Sequence, residues 1–201
     1  MRKVDPVKHE AARQRILEAA VTCFARRGFH QTTTAEICAE AGMSPGNLFH
    51  YFGSKQALIE ALVEEDRREI SEWFARTKDT DDLFAALLDL LDLCVEQVAN
   101  PIVTRIGVEI MAEALRNPKI DALVKRNEAE RHAALLDLLR TAAARGQVDA
   151  SLDLPKAATW VAALIDGAFG RAALESSFVP AEQTPMLRLL VTRFLRPGDK
   201  R

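Results

Sequence analysis

Residues 32–55 read TTTAEICAEAGMSPGNLFHYFGSK, and two helix starts and a glycine turn are legible in them. Thr33 and Glu36 stand at capping-box spacing, in which a threonine hydroxyl and a glutamate three residues on satisfy free amides at a helix start. Ile37, Cys38 and Ala41 follow as an apolar stripe at helical spacing, and Gly42 supplies the positive-φ residue that commonly ends a helix. Ser44 is a good N-cap and Pro45 a good first helical residue, because the amide that proline lacks would have no partner there anyway. A second short helix is therefore expected from Pro45 to about Phe52, with Leu48 and Phe52 facing inward and Gly46, Asn47, His50 and Tyr51 outward.

That outer face suits DNA. A recognition helix enters the groove with its N-terminal turn, where amides and helix dipole favour phosphate and small residues allow close approach. Pro45, Gly46 and Asn47 meet that need, His50 and Tyr51 offer ring contacts and donors further along, and Lys55 follows as a cation for the phosphate backbone. With Thr33, Thr34 and Ser44 at the helix starts and Phe49 beside them, these are the candidate DNA-binding residues. The same caps and turn also fit an ordinary helical hairpin.

The pattern Thr33, Ile37, Ala41, Gly42, Ser44, Gly46, Leu48, Phe49, Tyr51, Phe52, Lys55, Leu58 resembles the N-terminal domain of TetR-type bacterial transcriptional regulators. The preceding helix matches as well, with Ile16, Ala20 and Phe24 every four residues and Gly28-Phe29 at its end. The resemblance implies an all-α, two-domain, nine-helix fold: a helix-turn-helix domain at 1–54 and an effector-binding and dimerisation domain at 55–201. It also implies a homodimeric repressor that binds a pseudo-palindromic operator in double-stranded DNA and is released by a small-molecule effector. One position departs from the family, which usually carries a tyrosine at Phe49 whose hydroxyl reaches a phosphate; that contact is expected to be missing here.

Composition agrees with a globular protein, at 48% hydrophobic and 28% charged residues in a chain of 201. No apolar run reaches the roughly 18 residues needed to span a bilayer, and the start lacks a signal peptide's apolar segment, so a cytoplasmic location and no membrane partner are expected. Cys23, Cys38 and Cys94 are odd in number, far apart and in apolar helical contexts, which points to free thiols rather than disulfides or a metal site. No cofactor is expected. The net charge of -2 hides an asymmetry: residues 1–57 hold eight basic against five acidic residues, +3, and the remainder carries -5. An electropositive head on an acidic body confines DNA contact to one end. Arg2, Lys3 and Lys8 form a basic arm that either adds contacts to the duplex or is a plain tail.

The rest reads as helices, with no alternating strand. Ser54 caps a fourth from Lys55 to about Arg76, and a fifth from about Asp82 to Val98 is apolar nearly all round and must be buried. Asn100-Pro101 and Asn117-Pro118 restart the chain into a sixth and a seventh, the latter closed by Gly146. Asp153 and Pro155 open an eighth, and Thr184-Pro185 a ninth.

On the eighth helix Ala163, Gly167 and Gly170 make a small-residue stripe beside Leu174; with Leu187, Leu190 and Phe194 of the ninth they are the candidate dimer interface, although such glycines also pack within single chains. Around Leu164–Gly167 the chain resembles the C-terminal domains of a TetR subgroup that includes regulators of osmoprotectant metabolism and drug efflux. Effector-lining candidates are the apolar Trp73, Phe74, Phe84, Met111, His132, Trp160 and Phe169, with Arg105, Glu109 and Asp166 to fix a polar ligand. Core packing is the competing account of the apolar ones, and a surface ion pair that of Arg105 and Glu109, four apart. A small helical enzyme is disfavoured: there is no glycine-rich phosphate loop after a strand, no HExxH and no GxSxG, and the four histidines lack metal-ligand spacing. A nonspecific nucleoid protein would bind every sequence with the same salt dependence.

Overall fold

The computed structural model describes residues 5–196; Arg2 and Lys3 of the basic arm lie outside them. Among the described residues the chain is all-α, with nine helices and no strand: α1 (Pro6–Arg27), α2 (Thr34–Glu40), α3 (Pro45–Tyr51), α4 (Lys55–Thr77), α5 (Leu83–Ala99), α6 (Pro101–Ala114), α7 (Pro118–Ala144), α8 (Leu154–Leu174) and α9 (Pro180–Leu195). Capping chemistry sets most boundaries. Asp5 accepts from the Val7 amide at 3.1 Å to open α1, Asp82 from Ala85 at 2.8 Å to open α5, and Asp153 from Lys156 at 3.2 Å to open α8. Glycines with positive φ follow α1, α2 and α7, namely Gly28, Gly42 and Gly146.

The helices form two compact units, and neither is contiguous in sequence. The first runs through Asp66 and adds Arg105–Val124; the second comprises Arg67–Thr104 and the chain from Lys125 onward. Thus α4, α6 and α7 each give residues to both. In the first unit Ile16, Leu17, Ala20 and Phe24 of α1 pack with Ile37 and Cys38 of α2, Leu48 of α3 and Leu58, Ile59 and Val63 of α4. Ile106 of α6 and Ile120 of α7 close this core.

In the second unit α5 lies against α8 and α9. Its Leu83, Phe84, Leu87, Leu91 and Val95 are buried with Leu135, Leu139 and Ala142 of α7, Ala157, Ala158 and Val161 of α8, and Leu187, Val191 and Leu195 of α9. The nearly all-apolar fifth helix is therefore central, as its composition requires. The Gln147 side chain, just beyond α7, accepts from the Leu83 and Phe84 amides at 2.9 and 3.3 Å and so completes the cap of α5.

The ninth helix differs from the sequence expectation. It opens at Pro180, behind Val179, and Pro185 lies inside it. Two prolines five residues apart both suit a helix start, and the earlier one takes the first position. Pro185 then removes the amide that would bond the Ala181 carbonyl; Ala181 is exposed, so water can take that carbonyl.

Candidate nucleic-acid interface

The DNA-reading candidates sit on a frame held by local hydrogen bonds and a shared core. At the start of α2 the capping box is complete: the Glu36 amide donates to Thr33 Oγ1 at 3.2 Å, and the Thr33 amide to Glu36 Oε2 at 2.8 Å. The Thr33 hydroxyl also lies 2.9 Å from Glu36 Oε2, and Arg27 pairs with the same carboxylate. Bonding to the Thr33 backbone amide and then its hydroxyl holds the Glu36 carboxyl below the usual range, with Arg27 adding to it. Thr33 therefore spends its hydroxyl inside the cap, and Thr34 behind it is half-buried.

On α3 the inward and outward faces separate as the sequence predicts. Leu48 is fully buried and Phe52, which follows the helix, is 5% exposed. Ser44, Pro45, Gly46, Asn47, Phe49 and His50 are exposed and contiguous. Ser44 occupies the N-cap position, yet its hydroxyl caps no amide; its carbonyl accepts from Asn47 at 3.0 Å. Tyr51 is half-buried, its ring 4.6 Å from that of His9 on α1 and 5.4 Å from His50. His9 is thus a member of this surface that its own sequence context did not announce. Only the packing of α1 against α3 brings it there.

Lys55 occupies an unexpected setting. Its Nζ donates to the carbonyls of Phe29, His30 and Thr32 at 2.7, 3.2 and 2.8 Å, and lies 4.6 Å from the centre of the Phe29 ring. Burial pushes its ammonium pKa down, while the charge of Glu113 pulls it up. The loop that carries those carbonyls is held from α6 as well. The Phe29 amide donates to Glu109 Oε2 at 2.8 Å, and Glu113 Oε2 lies 3.0 Å from His30 Nε2.

Two family descriptions match the chain. Residues 16–62 match the bacterial regulatory proteins of the tetR family, and residues 79–196 match the C-terminal part of BetI-type transcriptional repressors. The chain belongs to the TetR family. Among curated relatives it is 30% identical over 157 residues to the HTH-type transcriptional regulator UidR of Escherichia coli K12, covering 75% of this chain and 76% of UidR. It is 31% identical over 175 residues to ArpR of Pseudomonas putida, a probable HTH-type transcriptional regulator, covering 82% of each. The solved structure of Salmonella enterica GusR is similar at 31% identity and a TM-score of 0.74, over 97% of this chain and 99% of that one. As a TetR-family member with its helix-turn-helix intact, the chain is a DNA-binding transcriptional regulator.

The candidate effector-lining and dimer residues are distributed unevenly. Arg105, Glu109 and Met111 belong to the first unit, where Arg105 is exposed, Met111 is 59% exposed and Glu109 is engaged with Phe29. The other seven lie in the second. Trp73 and Phe74 stack edge to face at 5.0 Å against its core. Phe84 is itself core, with the Arg196 guanidinium 3.9 Å from its ring centre. His132 lies 3.1 Å from the Thr159 hydroxyl, Phe169 is half-buried and Trp160 is 63% exposed. Desolvation and then the charge of Glu128 push the Asp166 carboxyl above its usual range, against the pull of Arg131. A cavity of about 330 Å³ opens among Phe74, Thr77, Lys78, Leu83, Asp137 and Leu138. Of the lining candidates it takes in only Phe74, so the sequence reading and the cavity coincide at one residue.

Of the dimer candidates, Ala163 and Gly167 are exposed, Gly170 is half-buried, and a Cβ added to either glycine would meet nothing within 4 Å. Leu174, Leu190 and Phe194 are also exposed. Leu187 is instead buried in the core of the unit, in one cluster with Val191 and Leu195.

Proposed function

We propose that this regulator is a homodimeric repressor that reads a pseudo-palindromic operator and is released from it by a small-molecule effector. The observation that carries this reading is the exposed outer face of α3, Ser44 to Asn47 with Phe49 and His50, set on a helix whose Leu48 is fully buried. Rigid support beneath and small residues at the leading turn are what groove entry needs. In this reading residues 1–54 do the reading, with Asn47 and His50 at base edges and Ser44, Pro45, Gly46 and Tyr51 toward the backbone. Residues 55–201 pair the protomers and take the effector, and the protein works in the cytoplasm.

Pairing is required because helix-turn-helix dimers read half-sites about 34 Å apart, one turn of duplex. Leu174, Met186, Leu190 and Phe194 are large apolar side chains left exposed on α8 and α9, beside glycines that admit close approach. The effector reading is supported by the cavity beside Phe74.

Titration of the purified protein against its own upstream DNA and a random duplex at physiological salt tests the core of the reading. A specificity ratio of about 10³ or more is expected. Equal affinity for both duplexes would refute sequence-specific reading and leave a nonspecific binder. Sedimentation at micromolar concentration tests the dimer independently.

A further inference from the structure

Within the first unit, the loop between α1 and α2 is gripped from two helices that are distant in sequence. From α4, Lys55 Nζ draws three carbonyls of residues 29–32 together at 2.7 to 3.2 Å. An ammonium has three protons to donate, so this set uses them all. From α6, Glu109 accepts the Phe29 amide at 2.8 Å, and a Cβ placed on Gly28 would come within 3.3 Å of its carboxylate oxygens. Gly28 has φ 77, so its missing side chain serves both the backbone angle and this close approach. One turn further along α6, Glu113 is buried at 8% side-chain exposure, with Oε2 3.0 Å from His30 Nε2 and its charge acting on Lys55.

The loop leads directly into the Thr33 cap of α2 and so sets where the two DNA-facing helices begin. Thr32, held by Lys55 through its carbonyl, is itself 1% exposed and donates its hydroxyl to the Gly28 carbonyl at 2.8 Å. A grip on residues 28–32 is therefore a grip on the start of the reading unit.

We propose that Lys55, Glu109 and Glu113 form a clasp on the α1–α2 loop that positions the DNA-reading helices, and that Lys55 acts there rather than as a ligand of DNA phosphate. Lys55 is a positioning residue, and the two α6 carboxylates share that role despite lying outside the helix-turn-helix segment. The inference rests on the DNA-binding reading above and changes its list of contacts.

The salt dependence of binding separates the two roles of Lys55. A lysine on phosphate releases counterion, so its loss lowers the slope of log K against log salt by about 0.9 per head, whereas a positioning lysine leaves the slope alone. For Lys55→Met we expect operator affinity to fall about tenfold with the wild-type slope retained. Glu109→Gln keeps an acceptor for the Phe29 amide and is expected to stay within about threefold of wild type, while Glu109→Ala falls about tenfold, again with unchanged slope. Helical circular dichroism accompanies each titration. A slope smaller in magnitude by about 0.9 per head, about 1.8 for the dimer, in Lys55→Met would overturn the assignment, as would wild-type affinity in Glu109→Ala. If Lys55→Met loses its helical signal, the Glu109 pair decides. Equal binding of wild type to operator and random duplex would instead strike the proposed function, a result distinguishable from all of these.

Discussion

Glu36 closes the cap of α2 with its carboxylate bonded to the Thr33 amide and hydroxyl, and this lowers its folded pKa below the ordinary value. A depressed carboxyl contributes stability above the unfolded pKa, about 4.3, and loses it as pH falls through the folded value. Thermal melts of wild type from pH 5 to pH 2 should therefore show a loss that Glu36→Gln lacks. Parallel curves for the two proteins would dismiss the cap as a source of acid sensitivity. Phe49 is half-exposed on the reading face, at 50%. Phe49→Tyr supplies the hydroxyl that the family resemblance leads one to look for, and should raise affinity for operator and random duplex alike by about tenfold per head, the worth of one hydrogen bond to a charged oxygen. Anisotropy titrations check it; a gain on operator alone would mean the hydroxyl reads bases. At this scale the sequence was legible wherever partners lie within four residues, as in the Thr33–Glu36 box, and silent for Lys55, whose partners lie 23 to 26 residues back.

Elements were legible through their ends. Thr33, Asp82 and Asp153 carry cap hydrogen bonds at the expected starts, and Gly28, Gly42 and Gly146 stand past the expected stops. The ninth helix was misread because Pro185 has the signature of a start and lies in an interior. Replacing it with alanine restores a backbone donor to Ala181 and relieves the ring clash, so Pro185→Ala should stabilise the protein by about 1–3 kcal/mol, reduced somewhat by the extra freedom of the unfolded chain. Denaturant unfolding measures this. An unchanged or lowered midpoint would mean that the proline serves α9 in another way, such as shaping the surface it offers to a partner. Faces of helices followed from periodicity, and Leu48 and Leu187 show its reach: spacing identifies which residues share a face, and it does not say whether that face meets the same chain or a second one.

At the scale of the whole molecule, burial separates the side chains that meet their own chain from those left exposed. Leu190 and Phe194 are 48% and 38% exposed, and Leu187, three and seven residues before them on the same helix, is buried at 8%. Leu190→Glu with Phe194→Glu should give a folded monomer with much reduced operator affinity, whereas Leu187→Glu should destabilise the chain itself by several kcal/mol, about 3 or more. Sedimentation together with melting distinguishes the two; a dimer that persists in the double variant would move the interface off this face. The sequence by itself determined the helix count among the described residues, the Thr33, Asp82 and Asp153 caps, the inward and outward sides of α3 and the family, because each depends on neighbours within a turn or two or on a pattern local to one segment. Only the tertiary structure decided that α6 from Arg105 on and the start of α7 belong to the same compact unit as α2 and α3. It likewise decided that Lys55 points into a ring of carbonyls and that Glu109 reaches the Phe29 amide 80 residues away. Those contacts form between residues that no local spacing relates, and their geometry exists only once separate helices share one core.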